Sequence, residues 1–318
     1  MRLVMVGTGA FAEPALTTLY HSRHQVLTLV TNPDRPAGKE RDMVRPIKKL
    51  AQSLGIPVFQ PASINAPEAI ARLRQLDADL LVVAAYGQIL SAEALQTTRR
   101  GGINIHASLL PKYRGAAPVA WAIYHGETRT GVTIIQMNPK MDAGDILAQA
   151  AVDILPEETA GELEARLAQL GARLALETID ALERGTVVAR PQESAQATRA
   201  PRLKKEHGLI DWSRPAAQIV NHIRAMQPWP TAYTFWHHGS RPAVRIILYR
   251  ACAEPGPYPP SEPGTVVAVN ADSLVIAAGE GYIVPVTLQV AGGRCMSAPE
   301  FLRGHRVQIG DRFGPEHL

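Results

Sequence analysis

The feature that most constrains the fold is an alternation, through the first half of the chain, of short apolar runs with amphipathic stretches. Residues 3–6 form the first apolar run, and helical periodicity follows over residues 11–20. Runs that are apolar at consecutive positions are typical of strands covered on both faces, as in a parallel sheet between helices. Further strands are predicted at residues 26–30, 57–59, 80–85 and 102–106, with a helix over 67–75. The sequence therefore predicts an α/β fold with a doubly wound, mostly parallel, Rossmann-like sheet.

The periodicity changes after this region. Two more strands are predicted at residues 131–137 and 146–152, joined by a polar turn. A long helix follows, which begins with the capping box Thr159-x-x-Glu162 and stops at Gly185.

Beyond that helix the chain is polar and lacks periodicity over residues 187–202, which indicates a linker. A short amphipathic helix is predicted at residues 216–225. Short strands broken by Gly and Pro are then predicted at residues 244–249, 264–269, 273–278 and 282–290. Strands of this length and spacing favour a small antiparallel β-barrel, with an oligonucleotide-binding (OB) type of barrel among the options.

A length of 318 residues is more than one ordinary core accommodates. We therefore predict an α/β domain at residues 1–189, a basic linker at 190–205 and a C-terminal β-barrel domain at 206–318. A composition with 46% hydrophobic and 19% charged residues excludes disorder as the overall state. No apolar run approaches the roughly 18 residues that a membrane span needs, so a cytoplasmic protein is expected.

The two cysteines, Cys252 and Cys295, stand far apart and have no neighbours at metal-ligand spacing. Neither a disulfide framework nor a zinc site is indicated. We expect both residues to behave as small apolar side chains, and we expect no metal.

A glycine-rich turn, Gly7-Thr8-Gly9-Ala10-Phe11-Ala12, follows the first predicted strand and satisfies the G-x-G-x-x-G/A pattern of dinucleotide-binding folds. The second predicted strand ends in Thr31-Asn32-Pro33, without the acidic residue that would bind a ribose hydroxyl. A glycine turn at this point also permits close packing in doubly wound folds that bind no dinucleotide. We therefore interpret Gly7 and Gly9 as structural glycines near the ligand, and we expect no nicotinamide binding.

Three chemistry-bearing residues are predicted at the carboxyl edge of the sheet. Asn104 and His106 end a predicted strand, and period-2 geometry places them on one face. Asp142 lies in a polar, glycine-containing turn between the two later strands. Taken singly, each residue has an ordinary structural interpretation, as a turn residue or a hydrogen-bonded histidine. Together, an amide, an imidazole and a carboxylate are the groups that acyl transfer requires: an oxyanion donor, a proton carrier and an orienting base.

These motifs, with Ser108-Leu109-Leu110-Pro111, resemble the 10-formyltetrahydrofolate-dependent formyltransferases, in particular those that formylate methionyl-tRNA. The likeness extends over essentially all 318 residues. The other segments that carry it are Pro33-Asp34-Arg35-Pro36-Ala37-Gly38, Tyr86-Gly87-Gln88-Ile89-Leu90, Tyr113-Arg114-Gly115-Ala116-Ala117-Pro118, Gly131-Val132-Thr133, Gly208-Leu209-Ile210-Asp211-Trp212, Ile223-Arg224-Ala225, Pro228-Trp229-Pro230 and Phe301-Leu302-Arg303-Gly304.

The resemblance implies transfer of a formyl group from N10 of 10-formyltetrahydrofolate, a co-substrate, to the α-amino group of methionyl initiator tRNA in translation initiation. It implies that Asn104 and His106 stabilise the oxyanion of the tetrahedral intermediate. Asp142 would orient, or deprotonate through, His106 or a bound water. The residues implied for the folate pocket lie in two loops, and they are Ser108, Leu109, Leu110, Pro111, Ala85, Tyr86, Gly87, Gln88 and Leu90.

The basic residues are concentrated in two stretches, although the net charge of the whole chain is only +4. Residues 34–49 hold six cations against three acids, and residues 199–205 of the predicted linker add four more cations. In the formyltransferases that the chain resembles, the first stretch reaches the acceptor stem of the tRNA. The predicted tRNA-binding residues are Arg35, Lys39, Arg41, Arg45, Arg202, Lys204 and Lys205, and the acceptor-stem contact is left open between Lys39 and Arg41. We expect a monomer that binds tRNA and a folate and has no membrane partner.

Two alternatives are open at this point. A folate-dependent formyltransferase of another amine, such as an amino sugar, or a folate hydrolase module would share Asn104, His106 and Asp142 without needing the basic stretch. A nonenzymatic RNA-binding protein would use the basic linker and the barrel. It would leave the three residues at the sheet edge unexplained.

Overall fold

The computed structural model describes residues 1–34, 45–239 and 241–317. Contacts divide the chain into two compact units. The first unit comprises Met1–Pro118, Arg129–Asp153 and Leu163–Pro201, and the second comprises Val119–Thr128, Ile154–Glu162 and Arg202–Leu318. Within the described ranges, every helix is too short or too polar to cross a membrane.

The secondary structure alternates strands and helices first and is mainly strands later. The strands are β1 (Arg2–Gly7), β2 (Gln25–Val30), β3 (Val58–Phe59), β4 (Leu80–Ala84), β5 (Gly102–His106), β6 (Arg114–Gly115), β7 (Arg129–Gln136), β8 (Ile146–Asp153), β9 (Arg199–Ala200), β10 (Ala232–His237), β11 (Val244–Glu254), β12 (Val266–Val269), β13 (Leu274–Ala277), β14 (Tyr282–Val290), β15 (Cys295–Ser297) and β16 (Arg312–Gly314). The helices are α1 (Glu13–Tyr20), α2 (Pro46–Ser53), α3 (Pro67–Gln75), α4 (Ala92–Leu95), α5 (Pro118–Tyr124), α6 (Ala160–Arg184), α7 (Ala216–Ala225) and α8 (Ala298–Gly304).

A seven-stranded sheet forms the centre of the first unit, in the order β3-β2-β1-β4-β5-β7-β8. Strands β1 to β5 are parallel, whereas β7 runs antiparallel to β5 and β8 antiparallel to β7. Every residue of β4 is buried, as expected for a strand covered on both faces. The predicted doubly wound, mostly parallel sheet is confirmed. In such a sheet the carboxyl ends of β1, β4 and β5 share one edge, which is where ligands bind.

The turn after β1 depends on the absence of a side chain at Gly7. A Cβ atom there would lie 2.6 Å from the Cβ of Ala12 and 2.8 Å from the carbonyl oxygen of Ala84. The 3₁₀ turn Ala10–Ala12, which leads into α1, therefore packs directly against the ends of β1 and β4. This close approach is the packing function that we inferred for the glycine turn.

The second unit contains an antiparallel sheet in the order β12-β13-β14-β11-β10-β16, with β15 paired to β14. Its two ends meet, because Val266 N–H donates to the Asp311 carbonyl at 2.8 Å and Phe313 N–H donates to the Gly264 carbonyl at 2.7 Å. The sheet is therefore a nearly closed barrel, and the predicted β-barrel architecture is confirmed. Strand β10, which the sequence patterns did not predict, pairs with both β11 and β16.

The aperiodic stretch at residues 187–202 makes regular backbone contacts within the first unit. Arg190 forms an isolated bridge with Ile146, with N–H to carbonyl distances of 2.9 and 2.7 Å. Strand β9 pairs in parallel with β6. Between these two contacts residues 194–196 form a single 3₁₀ turn. The stretch thus bonds mainly to distant segments, and it contains no element long enough to show helical or strand periodicity.

A buried histidine, His222, lies on α7 in the second unit and is 4% exposed. Its Nε2 is 2.7 Å from the carbonyl oxygen of His207, so Nε2 carries a hydrogen and donates it. Tyr124 packs edge-on against the ring at 5.4 Å between centroids. Burial, with a smaller contribution from the charge of Arg214, lowers the pKa of His222 to about 4, whereas Asp211 and the bond to His207 oppose the shift.

We predict that the second unit loses stability as the pH falls from about 6.5 to about 4. The pKa of His222 is lower in the folded than in the unfolded chain, so protons bind preferentially to the unfolded state in this window. The stabilisation is complete above the unfolded pKa, and between about pH 7 and about pH 5 the loss is about 2 kcal/mol. Denaturant unfolding followed by tryptophan fluorescence measures it, because all four tryptophans belong to this unit.

The control for this prediction is His222→Gln, which keeps a side-chain N–H for the His207 carbonyl but cannot titrate. Its free energy of unfolding should change less between the two pH values than that of the wild type. Equal pH dependence in the two proteins would contradict the assignment.

Candidate active site

The end of β5 places an amide and an imidazole on one side of the sheet. Ile105 is 3% exposed and points to the opposite side, where a Cβ at Gly171 of α6 would lie only 2.7 Å from it. Because successive side chains of a strand alternate, the packing of Ile105 fixes the face taken by Asn104 and His106. His106 is buried and Asn104 is partly buried.

Asp142 lies in the turn between β7 and β8 and has a left-handed backbone with φ 49°. Its Oδ1 accepts a hydrogen bond from Asn104 Nδ2 at 3.3 Å, and Oδ2 accepts one from the Gly115 N–H at 2.9 Å. Oδ1 also lies 3.6 Å from His106 Nδ1. The carboxylate is 13% exposed, so these contacts replace much of its hydration. The structure thus brings the three residues together.

The hydrogen bonds fix which nitrogen of His106 can exchange a proton. Nε2 is 2.9 Å from the carbonyl oxygen of Tyr113, and a carbonyl only accepts, so Nε2 carries a hydrogen. Nδ1 faces Asp142 and is the nitrogen whose protonation can change. Tyr113 is held for this contact by a left-handed backbone, φ 61°, and by its N–H, which donates to Thr198 Oγ1 at 2.8 Å.

Together these groups can bind and neutralise a carbonyl oxygen that gains negative charge, and they can accept a proton nearby. The Asn104 amide nitrogen has two hydrogens, of which the bond to Asp142 uses one. His106 Nδ1 lies 3.6 Å from the same Asp142 oxygen that accepts this bond. A fixed donor next to a proton acceptor in a partly dehydrated site is the arrangement that acyl-transfer chemistry needs.

Comparison with known proteins agrees with this chemistry. The formyl transferase family matches residues 1–179, and the formyl transferase C-terminal domain matches residues 202–306. Methionyl-tRNA formyltransferase of Symbiobacterium thermophilum is 43% identical over 99% of this chain and 96% of its own. That of Geobacter metallireducens is 42% identical over 99% of both chains. The chain belongs to the methionyl-tRNA formyltransferase family.

The resemblance that the sequence motifs indicated is therefore confirmed. A crystal structure of the N-formyltransferase from Helicobacter canadensis, in complex with folinic acid and dTDP-3-aminofucose, superposes with a TM-score of 0.66. It is 17% identical to this chain and covers 89% of it and 97% of its own length. At that identity the superposition shows the shared formyltransferase fold.

The loop after β5, which the family resemblance assigns to the folate, is held by polar side chains from β7 and β8. Thr133 Oγ1 donates to the Ser108 carbonyl at 2.6 Å and accepts from the Leu110 N–H at 3.1 Å. Gln149 Nε2 donates to the Leu110 carbonyl at 3.0 Å. The Ser108 hydroxyl donates a hydrogen bond within the loop, to the Lys112 carbonyl at 2.7 Å. Leu109 and Pro111 of this loop are partly buried.

The loop after β4, also assigned to the folate by family resemblance, uses its larger side chains as anchors. Tyr86 and Leu90 are buried in the hydrophobic core. Gln88 donates to Asn32 Oδ1 at 2.7 Å, while Asn32 Nδ2 donates to the Tyr86 carbonyl at 2.7 Å. These bonds tie the loop to the end of β2.

The same loop exposes Ala85 and Gly87, whose backbones are both left-handed, with φ 46° and 82°. A surface made by these two residues is mostly backbone. Burial raises the pKa of the Tyr86 phenol to about 12, so this group is neutral under ordinary conditions.

The basic residues predicted to bind tRNA are only partly within the described structure. Arg35, Lys39 and Arg41 lie outside the described residues. Arg45 is partly buried and donates through Nε and Nη2 to the Pro33 carbonyl, at 3.2 and 3.1 Å.

Next to this stretch, Lys48 forms an ion pair with Asp34, which holds the pKa of that carboxyl below its usual range. In the second unit, Arg202, Lys204 and Lys205 are exposed, and Lys204 pairs with Glu206 at 3.4 Å.

One group of side chains outside this site has metal-ligand geometry, among the described residues: His24, Asp180 and Glu183, with ligand atoms within 4.8 Å of one another. The Met1 ammonium contacts His24 Nδ1 at 2.9 Å and Glu183 Oε1 at 3.1 Å, and Arg23 pairs with both acids. Arg23 lowers the pKa of Asp180. Cationic groups thus already neutralise this cluster.

Sequence patterns missed one side chain that contacts the site directly. Gln192 donates from Nε2 to the carbonyl oxygens of Asp142 and Gly144, at 2.8 and 2.7 Å. It lies in the aperiodic stretch, where spacing gives no indication of the face that a side chain takes. A glutamine following Arg190-Pro191 has no motif of its own.

Proposed function

We propose that this chain transfers a formyl group from 10-formyltetrahydrofolate to the α-amino group of methionyl initiator tRNA. The observation that carries the proposal is the convergence of Asn104, His106 and Asp142 at one sheet edge, in a chain that matches methionyl-tRNA formyltransferases over its full length. Formyl transfer forms a bond from the amine nitrogen to the formyl carbon and breaks the bond from that carbon to N10. One proton leaves the amine and one is delivered to N10.

In this proposal Asn104 donates to the formyl oxygen as it gains negative charge, and His106 Nδ1 donates to that oxygen once it has taken up a proton. Fixed donors at such a position are worth about 2.7–4 kcal/mol of barrier each. A free α-amino group has a pKa near roughly 7.7–8.0, so much of it is protonated at neutral pH and must lose a proton before it reacts. His106 Nδ1 is the acceptor suited to that proton, since Nε2 is committed to Tyr113. Asp142, 3.6 Å away, neutralises the imidazolium that forms.

10-Formyltetrahydrofolate supplies the formyl group when it is bound. The two loops that follow β4 and β5 suit its pterin ring. Their side chains, such as Gln88 and Ser108, are occupied in holding the loops, and the exposed residues Ala85 and Gly87 present a surface that is mostly backbone. A rigid surface of this kind can pair with the flat, hydrogen-bonding edge of a pterin. Ser108, Leu109, Leu110 and Pro111 would form the wall facing Ala85, Tyr86, Gly87, Gln88 and Leu90.

The tRNA in this proposal is held by phosphate contacts from exposed cations, with Arg202, Lys204 and Lys205 as the described candidates. Lys204 is available to a phosphate despite its pairing with Glu206, because exposed ion pairs contribute little. The proposal also has the enzyme acting as a monomer in the cytoplasm, where initiator tRNA is used.

The assay that tests the function compares methionyl initiator tRNA with methionyl elongator tRNA, using 10-formyltetrahydrofolate as the donor. We expect formyl transfer to the initiator and little to the elongator. Equal activity on a free amino sugar, with no discrimination between the tRNAs, would instead support a sugar formyltransferase. Binding of tRNA without any formyl transfer would support a nonenzymatic role.

We predict that Asn104→Ala and His106→Ala each reduce the single-turnover rate by about 10²–10³-fold, while folate affinity changes little. Asp142→Asn should cause a similar loss, because an amide in that position presents donors towards Asn104. His21→Ala, which removes an exposed histidine, is the matched control and should leave the rate unchanged. A wild-type rate in Asn104→Ala or His106→Ala, or an unchanged pH–rate profile in Asp142→Asn, would remove that residue from the mechanism.

We predict that reversing the charge of Lys204 and Lys205, to Glu, weakens tRNA binding and lowers the salt slope of the binding constant by roughly 1–2. When a phosphate contact is lost, fewer counterions are released from the tRNA on binding, and the salt slope measures the number released. The control reverses Arg99 and Arg100, two exposed cations of the first unit, and changes the net charge equally. If both double variants show the same slope as the wild type, the two lysines do not bind phosphate.

A further inference from the structure

Gln192 is a partly buried glutamine whose side chain spans two segments of the candidate active site. Nε2 donates to the carbonyls of Asp142 and Gly144, at 2.8 and 2.7 Å. Oε1 accepts from Arg114 Nε and Nη2, at 3.1 and 2.7 Å. A primary amide has two hydrogens and two lone pairs, so all four positions are used. A side chain saturated in this way has one orientation.

The two segments that Gln192 joins are those that meet at the Asp142 carboxylate. One is the turn that carries Asp142. The other is β6, where Arg114 stands next to Gly115, whose N–H donates to Asp142 Oδ2 at 2.9 Å. Gln192 therefore holds the backbone of Asp142 and, at the same time, Arg114, the residue next to the Gly115 donor. Movement of either segment would break at least one of its four hydrogen bonds.

The turn needs such support because its backbone is strained. Asp142 has φ 49°, in the left-handed region that non-glycine residues seldom adopt. The backbone of Gly144 packs directly against β7, since a Cβ there would lie 1.7 Å from the Gln136 carbonyl oxygen. Two hydrogen bonds from one amide to residues 142 and 144 fix this conformation from the other side.

We propose that Gln192 is a positioning residue for formyl transfer, which acts by fixing the Asp142 carboxylate against Asn104 and His106. This inference rests on the proposed function, because it assigns Gln192 an effect on a reaction that Asp142 serves. Gln192 touches neither Asn104 nor His106 in the described structure, so its effect on the reaction passes through Asp142 and Gly115. An amide is the side chain required here, because it must donate to two carbonyls and accept from a guanidinium.

The first test is Gln192→Met, which has similar length and no hydrogen-bonding amide. We expect kcat to fall about 10- to 100-fold, as is usual when a residue that orients a reacting group is lost. KM for methionyl-tRNA and for 10-formyltetrahydrofolate should stay within about twofold. The matched control is Gln196→Met, in the same stretch, since Gln196 is exposed and bonds only to Glu193 among the described residues. That variant should keep wild-type kinetics.

The second test separates the two ends of the amide. Gln192→Glu keeps acceptors for Arg114 but places carboxylate oxygens against the carbonyls of Asp142 and Gly144. We expect a loss of kcat at least as large as in Gln192→Met. Wild-type kcat in Gln192→Glu would overturn the proposal. Failure of both variants to give folded protein, measured by far-ultraviolet circular dichroism, would also overturn it in favour of a purely structural role.

The deciding measurement is a double-mutant cycle with Asp142→Asn. If Gln192 acts through the carboxylate, Gln192→Met should cost less than about threefold in kcat when Asp142 is already asparagine. Losses that multiply would show that Gln192 acts independently of Asp142, which would overturn the inference alone. Absence of formyl transfer by the wild type would instead overturn the proposed function, so the two failures are distinguishable.

Discussion

The carboxyl edge of the first sheet depends on one mostly buried carboxylate. Asp142 is 13% exposed, and an ionised group with so little hydration needs hydrogen-bonding partners in the protein. Those partners come from separate segments: Asn104 and His106 from β5, and the Gly115 N–H from β6. None of these segments can move without leaving the charge less well solvated. The hydrogen-bonding requirement of the Asp142 carboxylate is thus met only where β5, β6 and the turn after β7 come together.

The sheet topology makes this meeting possible through the reversal of direction at β7. Because β7 runs antiparallel to β5, with Thr133 opposite His106 and Gln136 opposite Ile103, it ends beside the beginning of β5. The following turn must then fold back along the sheet to bring Asp142 to the far end of that strand. It does so by passing over the Gln136 carbonyl, where only a glycine fits, and Gly144 occupies that place. Gly144 and the left-handed Asp142 are thus consequences of the same path.

The sequence patterns predicted the parts of the structure in which side-chain direction follows from local periodicity. Asn104 and His106 could be placed on one face because strands alternate, and α6 could be bounded by its capping box and Gly185, since both are local signals. Strand β10 was missed because apolar and polar residues do not alternate along it: Tyr233 and Phe235 lie on the less buried face. Its polar Thr234 faces the interior, where its hydroxyl accepts from Trp212 Nε1 at 2.9 Å.

Gln192 escaped prediction for a different reason. Its role comes from long-range contacts with residues 78 and 50 positions away, and these leave no spacing in the sequence. The family resemblance named residues of the two loops after β4 and β5, but it did not say which of their atoms face a ligand.

The hydrogen bonds indicate which groups of those loops maintain the loop conformation and which remain for a ligand. The polar side-chain atoms of Ser108 and Gln88 form hydrogen bonds within the protein, and Tyr86 and Leu90 are buried in the core. Side chains committed in this way keep the loop backbones rigid, and rigid backbone N–H and carbonyl groups recognise a planar ligand with little loss of conformational entropy on binding. Under the proposed function, the folate is therefore selected by the shape and hydrogen-bonding pattern of the main chain. Under the same proposal the reacting groups are side chains, with Asn104 as a donor and His106, beside Asp142, as a proton acceptor.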